Sequence, residues 1–447
     1  MARSGCLAVH LHPAGGLRYD QRHRSGSYRA HPRSLIRRIL LDADECAGGR
    51  RGLRADSAIR PRLVRAARAR NHAGDAAHER GLTMLRAGDE ITVEPTELVA
   101  GGAALARVDG FPIFATNVYP GDVAVVRLQE VRKGFARAGL VRLIRPSALR
   151  RLQPCSIAGE CGGCDWTSLR LDAQLAAKRR ILEESLRRIG KIEQAALPPI
   201  GIHPSALNYR LRSRLHRRGD AVGFYAIGSH GVIPLAPDCE VVGVMTARNP
   251  TAGASWEIDG RVITGERELT MRVAEFTYRL STASFFQVNR HLLATMLRLV
   301  SSHAARVKQK RQAIDLYAGI GFFTLPLAAL FQRVISVEGS DVSHRFALLN
   351  APSNVDVVRA PVESFEIPPA NFIFLDPPRA GARSGVIDGI AARAQEMVCY
   401  LSCDPVTFSR DASRLIASGW RIATLDLLDL FPNTHHVETL ASFERAQ

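Results

Sequence analysis

The stretch Ala313-Ile-Asp-Leu-Tyr317, followed by the turn Ala318-Gly-Ile-Gly321, decides the predicted fold. A short apolar run that ends in a tight glycine turn is typical of a buried strand passing directly into a helix. A second strand, Val334-Ile-Ser-Val337, follows the expected helix 322–330 and ends in the acid Glu338. This alternation of strand and helix predicts a parallel sheet that binds its ligands at the carboxyl ends of its strands.

The spacing within this unit is that of a nucleoside-binding site. Glycines let the backbone approach a ligand closely, and an acid about 20 residues further on accepts hydrogen bonds from ribose hydroxyls. The turn holds two glycines and lacks the third of a dinucleotide-binding loop. It therefore favours S-adenosyl-L-methionine over a dinucleotide, whose pyrophosphate needs the longer loop.

Later apolar runs extend the predicted sheet with strands at 355–358, 372–375, 397–401, 421–427 and 437–443. Asp376 directly follows one of these strands, and Cys403 lies two residues after the end of another, so both are expected at the ligand-binding edge of the sheet. Cys403 stands before Asp404-Pro405, which turns the chain and presents the thiol as a candidate nucleophile. Taken alone, such a cysteine is more often structural, as we expect for Cys399. Glu438 begins the last strand beside two histidines and is a candidate catalytic carboxylate.

Composition limits the classes of protein that the chain can represent. Its 447 residues suit two or three domains, and a net charge of +17 points to nucleic acid as a partner. No apolar run approaches the roughly 18 residues that span a membrane. Eight cysteines without a secretory signal indicate a reduced, cytoplasmic protein with thiols for metals or catalysis.

Residues 1–83 carry 17 arginines, no lysine and 7 acidic residues, with little periodic apolar pattern. Three interpretations compete for this segment: a disordered RNA-attracting tail, a targeting peptide, or an extension that arises from an upstream start codon. We favour the extension, because Met84 immediately precedes the first strand-like sequence. The native protein is then expected to begin at or near Met84.

Five short strands separated by glycine turns between Asp89 and Ile144 predict a small closed barrel of the OB type. Basic residues cluster on its later strands: Arg127, Arg132, Lys133, Arg137, Arg142 and Arg145. A solvated basic face is the alternative, but RNA contact is the better interpretation beside the rest of the chain. The alternating basic stretch 209–218 predicts a further strand that contacts phosphates.

Three closely spaced cysteines, Cys155, Cys161 and Cys164, form half of a site for a soft metal. Cys239 lies 75 residues beyond Cys164 and can complete a tetrahedral set of four thiolates. An iron–sulfur cluster and a four-thiolate zinc site both satisfy this spacing.

Residues 171–189 next predict an amphipathic helix. Phe285 and Gln287 precede another predicted helix. An aromatic side chain can stack on the ring of a base, and a nearby amide can form hydrogen bonds to the edge of that base.

Together these motifs resemble one known family, the bacterial RNA uracil-5-methyltransferases with a TRAM domain and an iron–sulfur cluster. The matching motifs are the four cysteines, Phe285-Phe-Gln287-Val-Asn289, Asp315-Leu-Tyr-Ala-Gly-Ile-Gly-Phe-Phe-Thr-Leu-Pro326, Asp376-Pro-Pro-Arg-Ala-Gly381, Ser402-Cys403-Asp-Pro-x-Thr407 and His436-Val-Glu438-Thr439. The resemblance covers residues 85–447. It departs from the family pattern at Phe322 and Pro361, where relatives carry polar cofactor contacts, and at Asp404, where asparagine is usual.

The resemblance implies four segments: the extension 1–83, a TRAM barrel at 84–146, a central iron–sulfur and RNA-binding domain at 147–280, and a Rossmann-like methyltransferase domain at 281–447. It also implies a 4Fe–4S cluster on the four cysteines. Cys403 is expected as the nucleophile and Glu438 as the base. Gln287, Tyr317, Glu338 and Asp376 are expected to bind S-adenosyl-L-methionine.

The implied activity is methylation of carbon-5 of a uridine in 23S ribosomal RNA through a covalent cysteine–uracil adduct, by a monomer. Two alternatives stay open, because substrate choice depends on surface shape. One is methylation of a transfer-RNA uridine. The other is a non-enzymatic RNA-binding protein with a vestigial methyltransferase domain.

Overall fold

The computed structural model describes residues 85–236, 238–240, 255–258, 261–264, 268–281 and 283–446; at 255–258 and 261–264 it describes the backbone alone. The predictions for residues 1–83 and for a start at Met84 lie outside these ranges. No helix within the described ranges is long and apolar enough to cross a membrane.

The first described segment forms one six-stranded sheet. Its strands are β1 (Glu90–Val93), β2 (Glu97–Leu98), β3 (Ala104–Val108), β4 (Phe111–Thr116), β5 (Val123–Arg132) and β6 (Phe135–Arg145), in the spatial order β1-β5-β6-β4-β3-β2. Alternate side chains such as Ala104, Ala106, Ile113 and Ala115 are fully buried, so one face of the sheet forms a core. The five predicted strands are present, and the two-residue strand β2 is an addition that the sequence did not indicate.

The middle of the chain begins with helix α1 (Leu171–Arg188) and a 3-10 turn at Gln194–Ala196. The strands that follow are β7 (Ile200–His203), β8 (Arg212–Arg218), β9 (Ala221–Tyr225), β10 (Val232–Pro234), β11 (Ser255–Ile258) and β12 (Arg261–Thr264). All of these strands except β7 form a sheet in the order β10-β9-β8-β11-β12. A separate hairpin consists of β13 (Glu268–Val273) and β14 (Phe276–Ser281).

The C-terminal part alternates strands and helices. Its elements are α2 (Leu293–Arg306), β15 (Gln312–Leu316), α3 (Thr324–Ala328), β16 (Arg333–Glu338), α4 (Asp341–Asn350), β17 (Val355–Arg359), a 3-10 turn at Val362–Ser364, β18 (Ala370–Leu375), α5 (Ser384–Arg393), β19 (Ala394–Ser402), α6 (Pro405–Ala417), β20 (Trp420–Leu428) and β21 (Glu438–Arg445). They build a sheet in the order β17-β16-β15-β18-β19-β21-β20-β7, and the strands from β17 to β19 are parallel. The predicted α/β class is confirmed.

Helix α3 is shorter than the predicted helix 322–330. Pro326 explains its late start, because proline lacks an N–H and is tolerated only within the first turn of a helix. A helix that began at residue 322 would need an N–H from Pro326, whereas a start at Thr324 places the proline in the first turn.

Two elements from the range assigned to the central domain belong with the large C-terminal sheet. Strand β7 pairs in parallel with β20, and helix α1 shares a core with helix α6 through Leu182, Leu186, Phe408 and Leu415. The limits of the central and methyltransferase domains therefore stay a prediction, and α1 and β7 lie on the methyltransferase side of the observed packing.

A buried ion pair ties helix α1 to the loop between β20 and β21. The Lys178 ammonium lies 2.6 Å from an Asp429 carboxylate oxygen, and neither side chain has appreciable contact with solvent. The same ammonium donates a hydrogen bond of 2.9 Å to the carbonyl of Phe431. Removing one partner of such a pair leaves an uncompensated buried charge.

We expect Lys178→Met to lower the free energy of unfolding by about 3–5 kcal/mol, because Asp429 then stays buried without its counter-ion. Urea unfolding followed by circular dichroism measures the loss. The control is Arg333→Ala, which breaks the solvent-exposed pair of Arg333 with Asp356 and should cost less than about 1 kcal/mol. Equal losses in the two variants would contradict this role for Lys178.

Candidate functional site

The sheet register brings the proposed nucleophile and base together. Strand β21 runs antiparallel to β19, and Ser402 lies opposite Thr439. Cys403 follows Ser402 and Glu438 precedes Thr439, so these two residues are neighbours at one end of the sheet. Asp376 joins them from the end of β18, because Leu375 lies beside Tyr400 of β19.

The turn after β19 is held by the start of helix α6. The Asp404 carboxylate accepts hydrogen bonds from the backbone N–H groups of Val406 (3.0 Å) and Thr407 (2.8 Å), and Pro405 occupies the first turn. Aspartate and asparagine cap helices about equally well. The aspartate that stands where relatives carry asparagine is therefore compatible with the turn that presents Cys403.

Acidic neighbours and burial make this site unfavourable for further negative charge. Burial raises the pKa of the Cys403 thiol to about 12, with repulsion from Glu438 and Asp376 adding to the effect, while Arg379 lowers it. Burial, with repulsion from Asp376, also raises the pKa of Glu438 well above its usual value. Without a bound cation, this environment favours the thiol form of Cys403 and shifts Glu438 toward its protonated form.

Two further carboxyl groups lie at the same edge. Burial raises the pKa of Asp376 to about 8, with Asp315 adding repulsion, although the Gln287 amide donates a 3.0 Å hydrogen bond to Asp376 that opposes the rise. Burial also raises the pKa of Asp315 to about 7, and Asp315 Oδ1 is buried with no hydrogen-bond partner in the described structure. A cation bound here would stabilise the ionised forms of both acids.

The glycine turn and the acid after β16 are joined directly. Glu338 accepts hydrogen bonds from the backbone N–H groups of Gly319 (2.8 Å) and Ser340 (2.6 Å). Tyr317 adopts a left-handed conformation with φ of 60° and donates a 3.1 Å hydrogen bond to Glu363. Phe285 is 63% exposed and its ring approaches Gly319. The turn thus has one acid, one half-buried phenol and one exposed ring around it.

Of the two other departures from the family pattern, Phe322 has a clear structural role. Its side chain is buried against Tyr278 and Phe286, with ring centroids 5.3 and 5.2 Å away. Phe322 therefore supports the hydrophobic core under the glycine turn. Pro361 lies against Gly339, next to Glu338 in the chain.

The four predicted cysteine ligands line one cavity, together with apolar side chains such as Phe224 and Leu235. Burial raises the pKa values of Cys155, Cys161 and Cys164, and repulsion from Cys239 adds to each shift. Within the described residues, no group of three or more metal-ligating side chains is close enough to hold a single ion. The structure thus gathers the four thiols without defining a mononuclear site.

Sequence reasoning missed the loop that leads to Glu438 and the contacts that hold it. Asn433 is buried with φ of +67°, and its side chain bonds to Arg151 (3.0 Å), Gln174 (3.2 Å) and Glu240 (3.1 Å). Its carbonyl accepts from Trp166 N at 3.0 Å. Only the Asn in Phe431-Pro-Asn-Thr hinted at such a turn, because asparagine tolerates left-handed backbone.

Sequence reasoning also quoted Arg379 without giving it a role. Its guanidinium lies near enough to Cys403 and Glu438 to lower the pKa of each. It also lies 3.3 Å from His436 Nε2. The sequence did contain a signal, because Arg379 follows a predicted strand end at the same sheet edge as Cys403, and a cation there stabilises a thiolate.

Comparison with known proteins shows which proteins the chain resembles. A family model described as tRNA (uracil-5-)-methyltransferase matches residues 261–368 and 362–446. An uncharacterized RNA methyltransferase of Corynebacterium efficiens is 30% identical over 405 residues, which cover 81% of this chain and 96% of the relative. The 23S rRNA (uracil(1939)-C(5))-methyltransferase RlmD of Aliivibrio fischeri is 27% identical over 424 residues, covering 79% and 96%.

Among solved structures, the tRNA (uracil-54, C5)-methyltransferase of Pyrococcus abyssi in complex with S-adenosyl-L-homocysteine superposes with a TM-score of 0.62. It is 22% identical, and the match covers 79% of this chain and 99% of that one. At this identity the likeness concerns the fold. It agrees with the α/β architecture seen here.

The environment of Cys403 predicts its reactivity in the ligand-free protein. A raised pKa leaves little thiolate near pH 8, so alkylation by iodoacetamide should be slow and should accelerate about tenfold per pH unit. Asp376→Asn removes a repelling charge and should speed alkylation at a given pH, whereas Arg379→Ala removes the favourable cation and should slow it. Peptide mapping by mass spectrometry reports both rates, with buried Cys399 as the unreactive internal control. If Asp376→Asn and Arg379→Ala changed the alkylation rate in the same direction, these charges would not control the reactivity of Cys403.

Proposed function

The chain belongs to the RNA uracil-5-methyltransferase family, and we propose that it methylates carbon-5 of a uridine in 23S ribosomal RNA with S-adenosyl-L-methionine as the donor. The observation that carries the proposal is the convergence of Cys403, Glu438 and Asp376 beside Arg379 at the end of the sheet that holds the glycine turn. The ribosomal substrate is supported by the RlmD relatives, which the chain matches over 96% of their length. A transfer-RNA uridine is the second candidate, supported by the name of the family model and of the solved structure.

The residues at the glycine turn fit S-adenosyl-L-methionine, which when bound supplies an electrophilic methyl group on a positively charged sulfur. Glu338 has oxygen atoms for ribose hydroxyls, while Tyr317 and Gln287 flank the same edge. Asp315 and Asp376 have raised pKa values in the absence of a ligand, and Asp315 Oδ1 has no partner in the described structure. Such acids favour a cationic ligand, because its charge would offset their mutual repulsion.

Cys403 is proposed to act as the nucleophile on the pyrimidine. Carbon-5 of uracil is a poor nucleophile because it is conjugated into a flat ring. When the Cys403 thiolate forms a bond to carbon-6, it breaks that conjugation and places enolate character on carbon-5, which can then accept a methyl group. Covalent catalysis thus divides one difficult step into easier ones.

Glu438 is proposed to act as the base that completes the reaction. After methylation, carbon-5 still carries its proton, and that proton must leave before the bond to Cys403 can break. A buried carboxylate with a raised pKa is a stronger base than an exposed one, provided that it is ionised when the adduct forms. Arg379 favours that ionised form. Transfer of the proton to Glu438 returns electrons to the ring and expels the Cys403 thiolate.

Access of the target base to Cys403 requires RNA binding and base flipping. Taking a uridine out of its stack costs a few kcal/mol. Stacking on the exposed ring of Phe285 could return about 1–3 kcal/mol of this cost. We assign the six-stranded N-terminal sheet as the TRAM domain, and its basic residues such as Arg127, Arg132 and Arg142 supply the phosphate contacts.

We further propose that Cys155, Cys161, Cys164 and Cys239 hold a 4Fe–4S cluster. The donor set fits, since four thiols line one cavity and three of them have pKa values raised by burial and by mutual repulsion. A bound cationic centre would stabilise the thiolates. We place the protein in the cytoplasm, where reduced thiols persist, and propose a monomer because one chain supplies all the named site residues.

The covalent step is tested with ribosomal RNA transcribed with 5-fluorouridine. Fluorine on carbon-5 leaves Glu438 no proton to remove, so the wild type should form a stable protein–RNA adduct that migrates slowly in denaturing gels. Cys403→Ala should form none and should lose all detectable methyl transfer. With ordinary RNA, Glu438→Gln should accumulate the methylated adduct, because the adduct forms but cannot be resolved.

A Cys403→Ala variant that retains methyl transfer would exclude the covalent mechanism. Rapid turnover by Glu438→Gln would remove Glu438 from the role of base. Cys399→Ala is the matched control, since this buried cysteine lies three residues before the end of β19, which leads into Cys403, and its replacement should leave adduct formation intact. Transfer RNA and 23S RNA are offered in parallel, so that the captured species identifies the substrate class.

The cluster is tested by metal analysis of the full chain purified without oxygen. We expect about four iron and four sulfide per chain and visible absorbance. Cys239→Ser should lower the iron content severalfold, whereas Cys399→Ser should leave it unchanged. A colourless protein with one zinc per chain would contradict the cluster and would indicate a four-thiolate zinc site instead.

A further inference from the structure

A cavity of about 480 Å3 lies beside the proposed catalytic site, and the mechanism above does not use it. Six separate parts of the chain line it: the turn between β2 and β3, the turn after β4, the loop of the cysteine ligands, His216 of β8, the end of β9 with the turn that follows, and the loop before Glu438. A volume in this range accommodates a small organic ring system. The cavity therefore has the size of a binding site for one nucleobase.

Two stacked aromatic side chains belong to the lining of the cavity. The rings of His216 and Tyr225 are stacked, with centroids 3.6 Å apart and an angle of 11° between their planes. The His230 ring makes a T-shaped contact with Tyr225, with centroids 5.3 Å apart. Tyr225 is 38% exposed. Nucleobases stack on such aromatic faces regardless of their identity, so this wall supplies affinity rather than selectivity.

A second wall carries a polar group that can read a base edge. Asn117 lines the cavity in a left-handed conformation with φ of 61°. Within the described residues its side-chain amide has no hydrogen-bond partner. An amide offers a donor beside an acceptor and pairs with a base edge that presents the complementary pattern.

A third part of the lining carries a carboxylate, which disfavours phosphate. Both carboxylate oxygens of Asp165 already accept hydrogen bonds from His435, one from its backbone N–H at 3.0 Å and one at its ring Nδ1. The negative charge of Asp165 would repel a phosphate group at this wall. The cavity therefore suits the uncharged base of a nucleotide and leaves its phosphates outside.

The cavity is connected to the catalytic site through one side chain. His436 lines the cavity, and its Nε2 lies 3.3 Å from Nη2 of Arg379. Arg379 in turn acts electrostatically on both Cys403 and Glu438. A nucleotide bound in the cavity would thus be close to the uridine bound at Cys403.

We propose that this cavity binds the base of a nucleotide that flanks the target uridine, with the His216–Tyr225 pair as the stacking surface and Asn117 as the group that selects the base. The inference rests on the proposed function, because it needs an RNA whose uridine reaches Cys403. It assigns part of the substrate selectivity to a defined cavity at the junction of six segments.

The test uses a pool of RNA hairpins with a single 5-fluorouridine in the loop and randomised nucleotides on both sides. The full-length protein is incubated with the pool and S-adenosyl-L-methionine, and covalently captured RNA is sequenced. We expect the wild type to enrich one base at one flanking position by about tenfold, as a well-formed pair of hydrogen bonds allows. Tyr225→Leu and Asn117→Gly should each reduce that enrichment to within about twofold of random while adducts still form.

Matched controls separate the cavity from general effects on folding. Tyr225→Phe keeps the stacking surface and should keep the preference. Asn208→Gly alters another asparagine with left-handed backbone, φ of 56°, outside the cavity and should also keep it. Because the preference is a ratio among captured molecules, a lower yield of adduct does not change it.

The outcomes distinguish this inference from the function on which it rests. If the wild type captures no RNA, the proposed function fails and the cavity assignment falls with it. If the wild type captures RNA without a flanking preference, or if the preference persists in Tyr225→Leu and Asn117→Gly, the cavity does not select a base.

Discussion

The position of β21 between β19 and β20 is the constraint on which the site depends. This strand runs antiparallel to both neighbours, so its first residue, Glu438, lies at the edge where β19 ends and Cys403 follows. Had the final strand continued the parallel order, its carboxyl end would occupy that edge and Glu438 would lie at the opposite one. One reversal of direction therefore brings a thiol and a carboxyl group together.

That arrangement brings several acidic groups close together at one edge of the sheet. The guanidinium of Arg379 lies near them and partly offsets their charge. Burial and mutual repulsion hold the pKa values of Cys403, Asp376 and Glu438 above their ordinary values. A raised pKa favours the protonated form of a group, and a nearby cation shifts the balance toward the ionised form. Under the proposed function, binding of a sulfonium cofactor and activation of the thiol are thus coupled through charge.

The middle of the chain contributes support to the same site. Lys178 and Gln174 of helix α1 bind the loop that leads into β21, and Asn433 in that loop reaches Glu240, the neighbour of Cys239. The cysteine loop also contacts this turn directly, through Trp166 N and the Asn433 carbonyl. The segments that carry the cysteines and the loop that leads to Glu438 are therefore joined by hydrogen bonds.

The sequence by itself determined the local features of this protein. Strand–turn–helix order, the glycine turn at Gly319 and Gly321, the acid Glu338 and the position of Cys403 at a strand end all follow from hydrophobic pattern and turn chemistry, which act over a few residues. The tertiary structure alone decided that β7 and helix α1 pack with the C-terminal sheet, that Asn433 holds the loop before Glu438, and that six segments line a cavity beside His436. These features join residues up to 282 positions apart. No local pattern records such contacts, because they depend on the register and direction in which distant strands pair.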